Sequence, residues 1–178
     1  MNALFYLIEA AVNFFTLLLL ARFFLQLNRV PFNNQAGQFV SRLTDWLVKP
    51  MRRFVPGLFG LDLATLLPAW WLQCLLLLFI ISLTNLTPAG VEAAQMAFFV
   101  LWRGALATLR LAIWFFVGAL FLQAILSWVN PHSPLSRPLA QLTQPILRPL
   151  QRFVPTVANI DLSPLLAIVI LQALLLLL

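Results

Sequence analysis

Apolar residues gather into four blocks along the chain, each of a length that suits a bilayer. The first covers about 3–27 and is interrupted by charge only at Glu9 and Arg22; the second covers about 63–83 and the third about 111–129, both uncharged; the fourth, about 162–178, is uncharged as well. A hydrocarbon core of ~30 Å takes about 20 helical residues and roughly 17 at the least, so the fourth block just qualifies. The first has no positive lead-in and no A-x-A site, and its run exceeds that of a signal peptide, so it reads as a retained helix. The pattern therefore predicts an all-α membrane protein with four transmembrane helices. Between the second and third spans, Phe98, Phe99, Leu101 and Trp102 form a shorter apolar patch flanked by Glu92 and Arg103. This segment, 88–110, reads as an external interfacial or re-entrant piece, with one long helix through to Val129 as the alternative.

The two longer polar stretches, 28–62 and 130–161, carry their own periodicity. Phe39, Leu43, Trp46/Leu47, Met51 and Phe54 recur at steps of three and four, with Arg42, Asp45, Lys49 and Arg52/Arg53 on another face. In the second stretch Leu139, Leu142, Ile146, Leu150 and Phe153 alternate in the same way with Gln141, Gln144, Arg148 and Arg152. A basic helix with an aromatic or aliphatic face is expected to lie in the membrane interface. Pro50 and Pro149 should kink or split these helices, and Pro56 and Pro155 should end them.

Composition sharpens the class. At 62% hydrophobic and 9% charged, the chain cannot cover a water-facing surface, and an integral membrane protein is the expectation. The net charge of +6 would suggest nucleic acid in a soluble protein. Here its distribution explains it better. The loops 28–62 and 130–161 hold Arg29, Arg42, Lys49, Arg52, Arg53, Arg137, Arg148 and Arg152, whereas the middle connection has Arg103 and Arg110. The positive-inside rule places the basic loops in the cytoplasm and both termini outside, facing the anionic lipids of the inner leaflet. No nucleic-acid partner is expected. One cysteine, Cys74, excludes an internal disulfide and a Cys-based zinc site. It reads as a small hydrophobe, and His132 as an ordinary loop residue.

The chain also repeats itself. Residues 43–67 and 142–166 lie ninety-nine positions apart and agree at 11 of 25 positions, including Thr44/Thr143, Pro50/Pro149, Arg53-Phe54-Val55-Pro56 with Arg152-Phe153-Val154-Pro155, and Asp62/Asp161. Lys49 matches Arg148, and upstream the register slips by two, so that Arg22 faces Gln123. Leucine richness cannot generate matches at Thr, Pro, Arg and Asp. Each repeat is a span, a basic loop and a returning span, in the same orientation, which makes a parallel repeat rather than an inverted one. The units are 1–87 and 111–178. Asp62 and Asp161 precede apolar runs and read as helix caps, with pairing to Arg22 or a shared site as alternatives, and Ser163-Pro164 suits a first helical turn.

These phrases carry a resemblance. "TQPILRPLQRFVP" followed by "IDLSPLL" resembles the signature of the YggT (YlmG-like) family of small bacterial and plastid membrane proteins, and the second copy matches it better. The first departs at Ala64-Thr65, where the second has Ser163-Pro164, and at Trp46, where the second has Pro145. The resemblance implies a bacterial inner-membrane protein linked to osmotic-stress tolerance, potassium handling or cell division. A plastid branch assists cytochrome maturation; that role is not carried over, because His132 and Cys74 are the conventional haem ligands here and neither has a motif around it.

Polar residues inside the spans are the remaining candidates for chemistry. Glu9, Asn13 and Thr16 follow i, i+4, i+7; Arg22, Gln73, Gln123, Ser127 and Gln172 complete the set. They read as interhelical hydrogen bonding or as a hydrophilic path. Arg22 is expected to snorkel toward phosphates, and Glu9 to meet Arg110. No catalytic motif, cofactor site or metal site is read, and a non-enzyme is expected. Two functions follow: an organising factor that holds anionic lipid, or a membrane or cytoplasmic protein, at the inner face; or a small transport component. Self-association suits a bundle this small.

Overall fold

Uninterrupted leucine-rich stretches satisfy their backbone groups internally, and helices follow. The computed structural model describes residues 3–55, 61–84, 92–130, 133–152 and 162–178. These form six helices: α1 (Ala3–Leu27), α2 (Gln35–Phe54), α3 (Leu63–Thr84), α4 (Ala93–Val129), α5 (Ser136–Gln151) and α6 (Ser163–Leu177). Three of them, α1, α3 and α4, are long and apolar enough to cross a membrane. The fourth expected span is shorter than its sequence block. α6 has 15 residues, about 22 Å at 1.5 Å per residue, below the usual spanning length. Ser163 and Pro164 do open it. Asp161 lies outside the described residues, as do Pro56, His132, Phe153, Val154 and Pro155.

The external segment is the clearest departure. Ala93 to Val129 is one helix of 37 residues, so 93–110 is not a separate interfacial or re-entrant piece. The stretch contains no proline and is dense in Ala and Leu, so nothing breaks the backbone ladder. The loop helices hold together too. α2 runs through Pro50 and α5 through Pro145 and Pro149 without dividing. Pro50 and Pro149 sit on exposed faces, as do Trp46 and Pro145 one turn before them. A carbonyl freed by either proline is therefore close to the outside of the molecule.

α1 packs on α3 with α2 against both, and α4 packs on α6 with α5 against both; α1 and α3 meet α4. The seam between the halves has two close fits. Phe24 of α1 stacks on Phe115 at 5.6 Å and tilts on Phe116 at 4.5 Å. Gly104 of α4 meets Cys74 of α3 so closely that a Cβ would lie 2.4 Å from its Sγ. The cysteine is thus a core residue at a helix crossing. Core clusters lie around Leu19, Leu20 and Val48, around Leu25, Val30 and Leu142, and around Leu120, Leu147 and Ala167.

α1 ends in a Schellman turn. Val30 N–H bonds Leu25 C=O at 2.8 Å and Arg29 N–H bonds Gln26 C=O at 3.0 Å, with Arg29 in the left-handed region at φ 53°. Val30 and Leu25 are buried in one cluster, the hydrophobic contact that usually accompanies this motif. Asn34 then caps α2, its side-chain oxygen accepting from Gly37 N–H at 2.7 Å. A Cβ on Gly37 would lie 2.7 Å from Phe32 Cα, so the turn closes only with glycine there.

Candidate functional site

Arg22 is buried rather than snorkelling, with 6% of its surface exposed. A charge at that depth needs partners. Its Nη1 donates to Thr44 Oγ1 at 2.8 Å and to Asp45 Oδ1 at 2.7 Å, while its buried Nε has none among the described residues. Asp45 also accepts from Lys49 at 2.7 Å, one turn along α2. Hydrogen bonds from Lys49 and Arg22 hold the Asp45 carboxyl below the usual carboxylate range, against the opposing pull of burial. Lys49 is 73% exposed, so its own link contributes little.

A second clamp stands at the far end of α2. Arg52 Nη2 donates to Gln26 Oε1 of α1 at 2.8 Å and to Asp62 Oδ2 at 2.5 Å. Asp62 begins α3, and there its backbone carbonyl does the capping, accepting from Thr65 N–H and Leu66 N–H. Its carboxylate is buried and turned to Arg52, neither a side-chain cap nor a partner of Arg22. These two clamps fasten α2 to α1 and α3. Its buried side is Gly37, Val40, Thr44 and Val48. Its outer surface presents Phe39, Trp46 and Phe54 beside Arg42, Lys49 and Arg53.

The second half repeats the hydroxyl and changes its partner. Thr143 donates to Gln123 Oε1 and to Leu139 C=O, as Thr44 donates to Val40 C=O. Leu142, expected at the membrane surface, is instead a core residue. The outer surface of α5 carries Arg137, Gln141, Gln144, Arg148 and Gln151, with Arg152 just past its end and small or proline residues between.

Within the bundle, Gln73 Nε2 donates to Asn13 Oδ1 at 3.1 Å and to Thr16 Oγ1 at 3.0 Å. Thr16 in turn donates to Val12 C=O. Asn13 and Thr16 of the i, i+4, i+7 stripe thus meet a cross-helix partner, and Glu9 does not. Gln172, the repeat counterpart of Gln73, is on the exposed side of α6, and Ser127 is exposed as well. Glu9 and Arg110 line one cavity of about 330 Å³, with Arg103. They do not form the expected ion pair: none of the three has a hydrogen bond or salt bridge among the described residues.

Sequence reasoning missed the partnership of Arg22 with Asp45. The signal was the pairing of a lone intramembrane arginine with the one aspartate inside the first amphipathic stretch.

The family model for CCB3/YggT matches residues 1–83 and 103–178. YggT of Escherichia coli strain K12 is 30% identical over 173 residues, covering 96% of this chain and 86% of its own. Protein PA0392 of Pseudomonas aeruginosa is 33% identical over 96% of this chain and 85% of its own. A Vibrio alginolyticus protein encoded in the proC 3′ region is 31% identical over 97% and 91%. No solved structure matches. With the signature in both halves and the match running through both, the chain belongs to the CCB3/YggT family.

Proposed function

We propose that this is a non-enzymatic organising protein of the bacterial inner membrane, working at its cytoplasmic face. α1, α3, α4 and α6 cross the bilayer in this reading, α6 as a short fourth span, and α1–α2–α3 and α4–α5–α6 are parallel repeats. The hydroxyl that each half aims at its first span, Thr44 to Arg22 and Thr143 to Gln123, supports the repeat. In this reading α2 and α5 lie inside and both termini outside, an orientation that the charge asymmetry of the loops supports.

The observation that carries the reading is the outer surface of α2. Three large aromatics stand exposed among basic side chains on a helix that two ionic clamps fasten to α1 and α3. That is the composition of a surface that seats on anionic headgroups, at about 1 kcal/mol per basic residue. Its role is to hold inner-leaflet lipid, or a protein recruited to it, in support of envelope, osmotic-stress or division processes. Spin labels at Trp46→Cys and Phe54→Cys, in a Cys74→Ala background, should show lipid-level oxygen accessibility in anionic vesicles. Both labels in bulk water would overturn the reading.

The transport alternative draws on the intramembrane polar stripe. Gln73 donates to both Asn13 and Thr16, which is how bundles are fastened. Cation flux into proteoliposomes above that of empty vesicles would favour transport.

A further inference from the structure

The cavity between α1, α3 and α4 has chemistry that the organising role does not use. Glu9 enters it from α1, and Arg103 and Arg110 from α4. The two arginines are seven residues apart, two turns along one helix face, so their long side chains can converge. Glu9 is half-buried and the two arginines stand exposed at the open side of the cavity; three charges that converge there with no partner among the described residues point to a ligand.

Its depth identifies the ligand's surroundings. Glu9 lies 18 residues before the end of α1, and Arg110 19 before the end of α4. Both distances are about 27–29 Å, the thickness of a hydrocarbon core. Those helix ends lead into α2 and α5, so the cavity sits at headgroup level in the opposite leaflet. Its remaining walls are the hydrogen-bonded Asn13 and Gln73 at one side and apolar residues such as Leu76, Ile80 and Trp114 at the other, the latter suited to acyl chain.

The charges then choose the headgroup. Two guanidiniums suit a phosphate, but the carboxylate of Glu9 would oppose a headgroup that is anionic throughout. A headgroup that joins a phosphate to a primary ammonium satisfies all three. We propose that this cavity binds an aminophospholipid, with its phosphate on Arg103 and Arg110 and its ammonium donating to Glu9. The proposal rests on α1, α3 and α4 crossing the bilayer and not on the outer surface of α2, so either can fail alone.

Native mass spectrometry of the full chain, released from nanodiscs holding equal phosphatidylethanolamine, phosphatidylcholine and phosphatidylglycerol with identical acyl chains, tests it. Phosphatidylcholine keeps the phosphate and lacks the N–H donors. Phosphatidylethanolamine should be retained about tenfold over phosphatidylcholine, the discrimination that one charge-assisted hydrogen bond provides. Glu9→Gln should erase that preference and leave phosphatidylglycerol retention intact or raised. Arg103→Gln with Arg110→Gln should lower retention of all three lipids. Equal retention of the first two lipids by the unaltered protein, which needs no variant, overturns the proposal. So does an undiminished preference in Glu9→Gln. Displacement of the lipid by millimolar free phosphoethanolamine would assign the site to a soluble ligand and overturn the lipid assignment.

Discussion

Thr44 and Thr143 hold the same register in the two halves, yet the group that meets each differs. Thr44 receives a buried guanidinium that also grips Asp45; Thr143 gives its proton to the neutral amide of Gln123. One step on, Asp45 is replaced by the exposed Gln144. The same helix-to-helix joint is thus made once with full charges and once without. The charged version leaves α2 free to expose aromatics, because its attachment does not depend on burying them. The neutral version attaches α5 by burying Leu142 and Leu147, and its outer surface is correspondingly polar. Both helices bury an apolar side, Val40 and Val48 in α2 and Leu142 and Leu147 in α5; the lesson is that ionic clamps added to such a side let α2 carry aromatics on its outer surface as well.

Substitutions can break this comparison, and the largest effect belongs to Asp45. Asp45→Ala leaves Arg22 buried with only Thr44 and should cost about 3 kcal/mol, whereas Gln144→Ala at the equivalent position should stay within about 0.5 kcal/mol. Unfolding in mild detergent measures both, and equal costs would dissolve the distinction between the halves. Gln73→Leu removes two interhelical bonds and should cost about 1 kcal/mol. Its counterpart Gln172→Leu should be neutral or stabilising by the same measurement, since it places an apolar side chain on an exposed apolar helix.

A pH titration sharpens the ionic side of the contrast. Because the Asp45 carboxyl is depressed in the folded protein from its ordinary 3.8, its contribution is present above that value and is lost as pH falls through the lower folded one. Stability at neutral pH should therefore be flat in this term, and the acid limb should be shallower in Asp45→Asn. The smallest effect concerns the ends of the first span in each half. α1 closes on Arg29 in the left-handed region, whereas α4 closes on an extended Asn130 at φ −151°. Arg29→Gly should stabilise the protein by about 0.5–1 kcal/mol in thermal unfolding, and Asn130→Gly should not.

Hydropathy located the three long helices to within a residue or two wherever charge bounded them, as at Leu63 and Leu27. It favoured a break within α4, keeping the single long helix that the structure takes only as the alternative, because Arg103 and Arg110 look like boundaries, whereas a helix backbone is indifferent to a charge that can face a cavity or headgroups. Period three-and-four spacing found α2 and α5; Pro50 and Pro149 do not split them, since a lost hydrogen bond costs less when the freed carbonyl lies near the outside. The Asn13–Thr16–Gln73 cluster was half legible: the stripe on α1 is a local pattern, but which glutamine crosses to it depends on packing. Arg22 was misplaced for the same reason. A single arginine near a span's end snorkels unless a third element covers it, and only the tertiary fold brings Asp45 over it.

The first turns of α4 offer something practical. Residues 84–102 fall between the two blocks matched by the family model, yet α4 already runs as regular helix from Ala93, secured to α3 by the Trp70 indole on Leu101 C=O. A soluble domain spliced in helical phase at Ala93 would be carried rigidly by the bundle. That would give a small membrane protein the asymmetric landmark that particle images need for alignment, at a site the family pattern does not use.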